Sequence, residues 1–252
     1  GVPLDPLAAE RVEIVRGPAT LRFGSQAIGG VVNAISGRVP QALVTQPEGE
    51  LVAGYGTVAD STDFSGKANV ALGRVGLHAD AFRRRADDYD TPLGTIENSW
   101  IHNEGGALGG SWFLGDSPSG APDADRVGLG VVRFASRYGL PGEEAYIDMD
   151  QTKLLMRSAF GLGSSGDRQL TVDGGWADYE HSEREGDEVH STFADRQWEL
   201  RAEILLGTVG VLDEGAIGVQ FQDRDFSALG EGADYLAPTS TRNLAMFGFS
   251  ET

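Results

Sequence analysis

Only four histidines occur in the 252 residues, and two of them share one short acidic stretch, Asp178-Tyr-Glu-His-Ser-Glu-Arg-Glu-Gly-Asp-Glu-Val-His190. Neutral imidazoles beside carboxylates are the ligand types that capture zinc and other divalent cations. His181 and His190 are therefore the candidate metal ligands, with Glu183 as a third ligand-binding residue on the same expected loop. The competing reading is an acidic, solvated loop whose histidines are incidental. A second candidate pair is Glu143 and Glu144, in Gly142-Glu-Glu-Ala-Tyr146. Oxygen ligands without an imidazole make a weaker and less selective zinc site.

Catalytic chemistry finds less support. There is no Gly-x-Ser-x-Gly elbow and no cysteine nucleophile. Glu143-Glu144 or Asp223 with Asp225 resemble a glycosidase carboxylate pair only in type. Such pairs arise by chance among 38 acidic residues, so no catalytic residue is assigned and the chain is read as a non-enzyme.

Composition narrows the partners. A net charge of −18 disfavours nucleic acid, which needs a basic surface. With no cysteine, neither a disulfide framework nor a thiolate metal site is available. The 36 glycines, against 10 prolines, point to many turns and close backbone contacts rather than to a disordered linker. No apolar run is long enough for a transmembrane helix, but barrel strands alternate lipid-facing and lumen-facing residues and need no such run. The chain opens without an initiator Met and closes inside a strand pattern at Phe247-Gly-Phe-Ser-Glu-Thr252, so it reads as a fragment.

Period-two alternation dominates after a Pro- and Gln-containing stretch at 40–49. Trp198, Leu200, Ala202 and Ile204 alternate with Glu199, Arg201 and Glu203, and Ile217, Val219 and Phe221 alternate with Gly218, Gln220 and Gln222. The pattern predicts about ten strands, near 49–58, 62–73, 75–86, 101–113, 126–138, 146–160, 168–180, 192–206, 215–226 and 241–251. Several reach ten residues or more, enough to cross a bilayer at a tilt. Asp150 to Phe160 has some helical character, but Leu154 and Met156 keep step with period two. Connections alternate between short, Gly-rich turns and longer polar loops at 86–100, 139–145, 180–191 and 227–240. The stretch 114–126 breaks that alternation and reads as an insertion. His78, mid-strand beside Asp80, is expected to line a lumen, whereas His102 carries no specific signal. Trp100, Trp112, Trp176 and Trp198, with Tyr55, Tyr138 and Tyr179, suit the aromatic girdles of a membrane barrel.

The opening segment, Arg11 to Ser36, reads as two short β-branched strands, Val12 and Ile14 in one and Val31, Val32 and Ile35 in the other. Between them stand a Gly17-Pro18 turn signal and glycines at 24, 29 and 30. It is neither a phosphate loop nor a dinucleotide fingerprint, because the required Gly-Lys-Ser/Thr and Gly-x-Gly-x-x-Gly are missing. Glu13, Arg16, Gly17, Pro18, Phe23, Gly24, Gly29, Gly30 and Asn33 stand in the register of a known pattern. The segment resembles the closing part of the plug domain of TonB-dependent outer-membrane receptors. Further along, Tyr138-Gly-Leu-Pro-Gly142, Asp178-Tyr-Glu-His-Ser-Glu183, Asp223 to Gly230 and Arg242 resemble the zinc-uptake branch of that family. In that branch the loop after the Tyr-Gly-x-Pro-Gly segment is often histidine-rich, and here it carries Glu143 and Glu144 instead.

The resemblance implies an all-β fold, a transmembrane antiparallel β-barrel preceded by the C-terminal part of a plug. Residues 1–40 would be that plug part and 41–252 the N-terminal part of the barrel, about ten strands of about 22. It implies a monomeric barrel in outer-membrane lipid of the Gram-negative type, energised by the TonB complex through a segment upstream of Gly1. The transported ligand would be zinc or an iron complex of siderophore or haem type, and no cofactor is implied. It also implies that Glu13 and Arg16 make charged contacts between plug and barrel wall. The alternatives are a passive porin or adhesin barrel and a secreted carbohydrate-active β-protein.

Overall fold

The computed structural model of the chain describes residues 11–17, 29–115, 124–163, 168–207 and 214–251. The opening segment forms a hairpin of β1 (Arg11–Val15) and β2 (Val31–Ile35), paired antiparallel with Glu13 opposite Asn33. Pro18 and Gly24 lie outside the described residues. Then come β3 (Glu48–Gly56), β4 (Ser61–Leu72), β5 (Val75–Ala86), the short β6 (Tyr89–Thr91) and β7 (Gly94–Ile96), β8 (Ile101–Phe113), β9 (Arg126–Gly139) and β10 (Ala145–Gly161). The last four strands are β11 (Arg168–Glu185), β12 (Glu188–Leu206), β13 (Glu214–Gly230) and β14 (Thr239–Glu251).

Ten of these make one antiparallel sheet in which each strand pairs with its sequence neighbour, β5 passing to β8 across the small β6–β7 hairpin. Its edges are β3 and β14. The stretch from Asp150 to Phe160 lies wholly within β10. This is the up-and-down layout of a barrel wall, reached here by ten strands. The connections at 57–60, 87–100, 140–144, 186–187 and 231–238 lie at one end of the sheet and those at 73–74, 114–125, 162–167 and 207–213 at the other, so connection length does not sort cleanly by end, although the longest, 87–100, is at the first. The middle of the 114–126 connection falls outside the described residues.

Successive side chains point to opposite faces, and the two faces differ. The inner face is the one on which Arg38 and Val39 lie. The outer face carries Leu108 at 63% exposure, Leu129 at 62%, Leu244 at 67% and Met246 at 81%, an apolar band turned away from the protein. Apolar surface of that extent is what lipid would cover. Trp112 and Trp198 are exposed on the same face, and Trp176 packs beside Trp198 at 6.1 Å between ring centroids. Tyr138 and Tyr179 depart from the expected girdle. Their strand parity is that of buried Ser136 and Ala177's row, so they turn inward.

The largest difference from expectation is at 180–191, which is not a loop. β11 and β12 continue to Glu185 and from Glu188, joined by a two-residue turn with Gly186 at φ 57°. Polar composition argues for a loop, but the backbone ladder does not depend on apolar side chains, and both faces here carry polar ones, Glu180, Ser182 and Arg184 on one and His181, Glu183 and Glu185 on the other. Strands of 18 and 19 residues exceed the roughly 10 that span a bilayer, so this hairpin stands beyond it. The expected loop at 227–240 is shortened in the same way, with β13 running to Gly230 and a 3-10 turn at Glu231–Asp234.

The 87–100 connection is tied down by side chains. Asp88 carboxylate oxygens accept from the backbone N–H groups of Asn98 (3.1 Å), Ser99 (2.7 Å) and Trp100 (2.9 Å). Asn98, at φ 58°, donates from Nδ2 to the carbonyls of Leu140 (3.2 Å), Glu143 (2.9 Å) and Ala145 (2.7 Å). Asn is among the few residues that take this backbone conformation readily. Asn98→Ala is expected to unpin the 140–145 turn, so protease cleavage in that turn should accelerate severalfold while the heat-modifiable barrel band persists. Equal cleavage rates would show that the turn holds itself.

Candidate ligand cavity and plug anchor

Two registry rows on the inner face are built mostly of small residues. Gly76, Ser111 and Gly128 face one another across β5, β8 and β9, and His78, Gly109 and Gly130 form the next row. The missing side chains make a groove through which the chain following β2 passes. A Cβ on Gly109 would overlap the Arg38 carbonyl, and one on Gly128 would overlap Val39. Val39 is only 4% exposed there. Arg38 reaches β5 and donates twice to Asp80, Nε to Oδ2 and Nη2 to Oδ1, both at 2.9 Å. His78 adds Nε2 at 3.0 Å from Asp80 Oδ2 and Nδ1 at 2.7 Å from Asn69 Oδ1. A bidentate guanidinium–carboxylate pair is the strongest ion-pair geometry available to proteins. Sequence reasoning placed His78 on this face and missed Arg38, because no local pattern marks a residue whose partner is 42 positions away.

The opening hairpin's own charges pair differently. Glu13 accepts from Arg11 at 2.7 Å and from Asn33 Nδ2 at 3.4 Å, within the hairpin. Arg16 is exposed, and Gly17 has φ 78° at the turn. Gly29 is exposed, and Gly30 has φ 145° as the chain enters β2. Between hairpin and wall lies a polar cavity of about 680 Å³ bordered by Arg11, Asn33, Arg157, Asp173, Glu199 and Arg201.

Nearer the end that holds the 87–100 and 186–187 connections, the inner faces of β10 to β13 border a second, half-open cavity of about 680 Å³. Tyr179, His181, Phe193 and Phe226 supply its rings, and Leu236 closes one side. His181 stacks on Phe193 at 4.7 Å and 21°, and its Nδ1 lies 2.9 Å from the Tyr179 hydroxyl. Asp195 is paired with Arg224 across β12 and β13. Lys153 lines the cavity with no carboxylate partner among the described residues. Glu199 accepts from Gln220 Nε2 at 2.6 Å.

The expected metal ligands are not brought together. His190 is the extra residue of a bulge, since Glu183 pairs with Ser191 and Arg184 with Val189. That turns it towards Glu185 (3.5 Å) and Glu231 (3.4 Å), away from His181 in the cavity. Glu183 sits opposite Ser191 one inner row above His181. Glu143 and Glu144 are both exposed in the 140–145 turn. Among the described residues no group of three or more His, Asp or Glu side chains converges to hold a metal ion.

A sheet with an apolar outer face, and an inner face gripping the segment that follows a small hairpin, is the arrangement of a plugged barrel. Residues 2–31 match the TonB-dependent Receptor Plug Domain. This match supports the TonB-dependent receptor family, and nothing in it singles out the zinc-uptake branch. Among solved structures, the chain is similar to in-vitro folded OmpT of Vibrio cholerae, an outer membrane protein in trimer form. The identity is 13% and the TM-score 0.41, over 80% of this chain and 62% of that one. It is also similar to the loop L8 deletion mutant of OmpT (11%, TM-score 0.38, 96% and 71%) and to outer-membrane expressed OmpT (12%, TM-score 0.41, 94% and 74%). At these scores the likeness adds no argument of its own. The chain spans about 62% of the length of the first of these. The plug match and the two-faced antiparallel sheet make this an outer-membrane β-barrel chain of the Gram-negative type.

Proposed function

We propose that residues 1–40 are the end of a plug and 41–252 the first part of the barrel of a receptor for TonB-energised uptake. Its cargo in this reading is an organic metal chelate of siderophore or haem type rather than bare zinc. The observation that carries the choice is the ring-walled cavity of about 680 Å³ on the inner face, towards the end where β11 and β12 run past the bilayer. That volume lies in the usual range for organic ligands, roughly 300–1,000 Å³, with apolar walls and a few polar groups fixing orientation. Lys153 offers a charge-assisted donor to an acidic group of such a chelate. A captured ligand would wait there until force delivered through TonB frees the plug, whose exit is pinned by Arg38 and Asp80.

Uptake by cells expressing the complete gene tests this, with ferric siderophore, haem and zinc supplied separately and TonB present or deleted. Uptake of one iron chelate, lost without TonB, is the expected result. TonB-independent uptake would indicate a passive pore, and zinc uptake alone would reject the chelate reading. Lys153→Gln should weaken binding of the accepted chelate about tenfold, the scale of one charge-assisted hydrogen bond. Unaltered affinity would remove Lys153 from the site.

A further inference from the structure

The outer face carries a second built feature, at the end of the sheet that holds the 87–100 connection. Arg83 and Arg85 of β5, His102 of β8, and Arg133 and Arg137 of β9 border one hollow of about 390 Å³, with Glu104, Asp148 and Asp150. Arg84, also at its border, turns to the inner face and pairs with Asp63, which leaves four outward guanidiniums facing three carboxylates. The whole chain has 38 acidic residues against 20 Lys and Arg, so a local excess of base runs against its average. Arg137 pairs with Asp148 and Arg133 with Asp150, each at 2.9 Å, and Arg83 reaches Glu104 only at 3.8 Å. Arg85 has no carboxylate partner among the described residues. Arg133 is 71% and Arg137 64% exposed in their side chains, so their remaining donors are free to bind outward. Exposed pairs of this kind contribute little to stability.

Directly below, a groove of about 610 Å³ runs over the same face. It shares Arg83, Glu104, Arg133 and Ala135 with the hollow and continues down to Leu108 and Val131. Gly106, opposite both Ala81 and Arg133, leaves it open. Guanidiniums above an apolar groove match a molecule with an anionic head and a hydrocarbon tail. The basic end lies beside 87–100, the longest connection, and on the side where the 18- and 19-residue strands β11 and β12 run past the bilayer, and the long excursions of outer-membrane barrels are extracellular. The occupant therefore lies in the outer leaflet.

We propose that this face binds a phosphate-bearing, acylated lipid of the outer leaflet. Its phosphates sit among Arg83, Arg85, Arg133 and Arg137, and an acyl chain lies over Gly106 against Leu108 and Val131. Planar guanidinium forks suit phosphate oxygens better than a point-charge ammonium does. The site is separate from the inner cavity and holds whatever the cargo is.

The test uses the full-length receptor, extracted in mild detergent and stripped of lipid, with binding followed by native mass spectrometry. Diphosphoryl lipid A, monophosphoryl lipid A and inorganic phosphate are the probes. The diphosphoryl form should bind about tenfold more tightly than the monophosphoryl form, the scale expected for losing one charge-assisted contact. The combined Arg85→Gln, Arg133→Gln and Arg137→Gln variant should lose that preference while keeping its heat-modifiable band. Asp148→Asn, which removes a competing carboxylate and no base, should tighten binding. Equal binding of both lipids, or an unchanged Arg variant, overturns the proposal. Displacement of the lipid by millimolar inorganic phosphate overturns it too, since it would mark a free-phosphate site.

Discussion

Asp80→Ala is expected to loosen the Arg38 segment from the inner face of the sheet. The substitution strands the Arg38 guanidinium, whose two 2.9 Å bonds both end on Asp80, and it removes the Nε2 partner of His78. Asp80 is 7% and Arg38 15% exposed in their side chains, so water replaces little of what is lost. Breaking a buried pair from one side costs about 3–5 kcal/mol. The full-length protein in planar bilayers reads this, because a segment displaced from the inner face by urea would admit ions, and denaturant lowers the stability of what holds it in proportion to its concentration. Asp80→Ala should open at a clearly lower urea concentration, and an unchanged midpoint would mean that Arg38 does not hold the plug. Arg38→Met combined with Asp80→Leu should recover much of the loss, since removing both charges together avoids leaving either unpaired. The cycle of both singles and the double then isolates the pair's own coupling.

That anchor also shows where reading the sequence stops. Strands were legible because the two faces of the wall meet different surroundings, and alternation records the difference at every second residue. β5 and β8 match the expected 75–86 and 101–113 at both ends. Where both faces carry polar side chains, the contrast vanishes, and the strand continuations to Glu185 and from Glu188 read as loop. His181 and His190 look like partners on one loop, yet a bulge at His190 and strand parity at His181 send them apart. The inner cavity draws on β10, β11, β12 and β13, whose facing residues are joined only by register. Arg38–Asp80 depends on a close passage that glycines permit, and a missing side chain leaves no residue type to read as a partner.

Those glycines give a prediction of comparable size, with a control next to it. Gly109→Ala adds one methyl group, directed at the Arg38 carbonyl that passes over the groove. Backbone cannot rotate aside as a side-chain tip can, so the Arg38-Val39-Pro40 segment must lift. Lifting it stretches the Arg38–Asp80 bonds and uncovers Val39, which is 4% exposed when seated. Overpacking of this kind costs about 1–3 kcal/mol before the ion pair is counted. Gly110, the next residue, faces outward, and a Cβ there would meet Leu77 Cδ2 at 3.2 Å, the end of a flexible side chain. Trypsin cutting after Arg38 reports whether the segment is seated. Cleavage in the full-length protein should accelerate about tenfold or more for Gly109→Ala, as a destabilisation of the seated state by about 1.4 kcal/mol requires. Gly110→Ala should be cut at the parent rate. If the two variants behave alike, the groove does not hold the segment, and the grip of the wall on the plug must lie elsewhere.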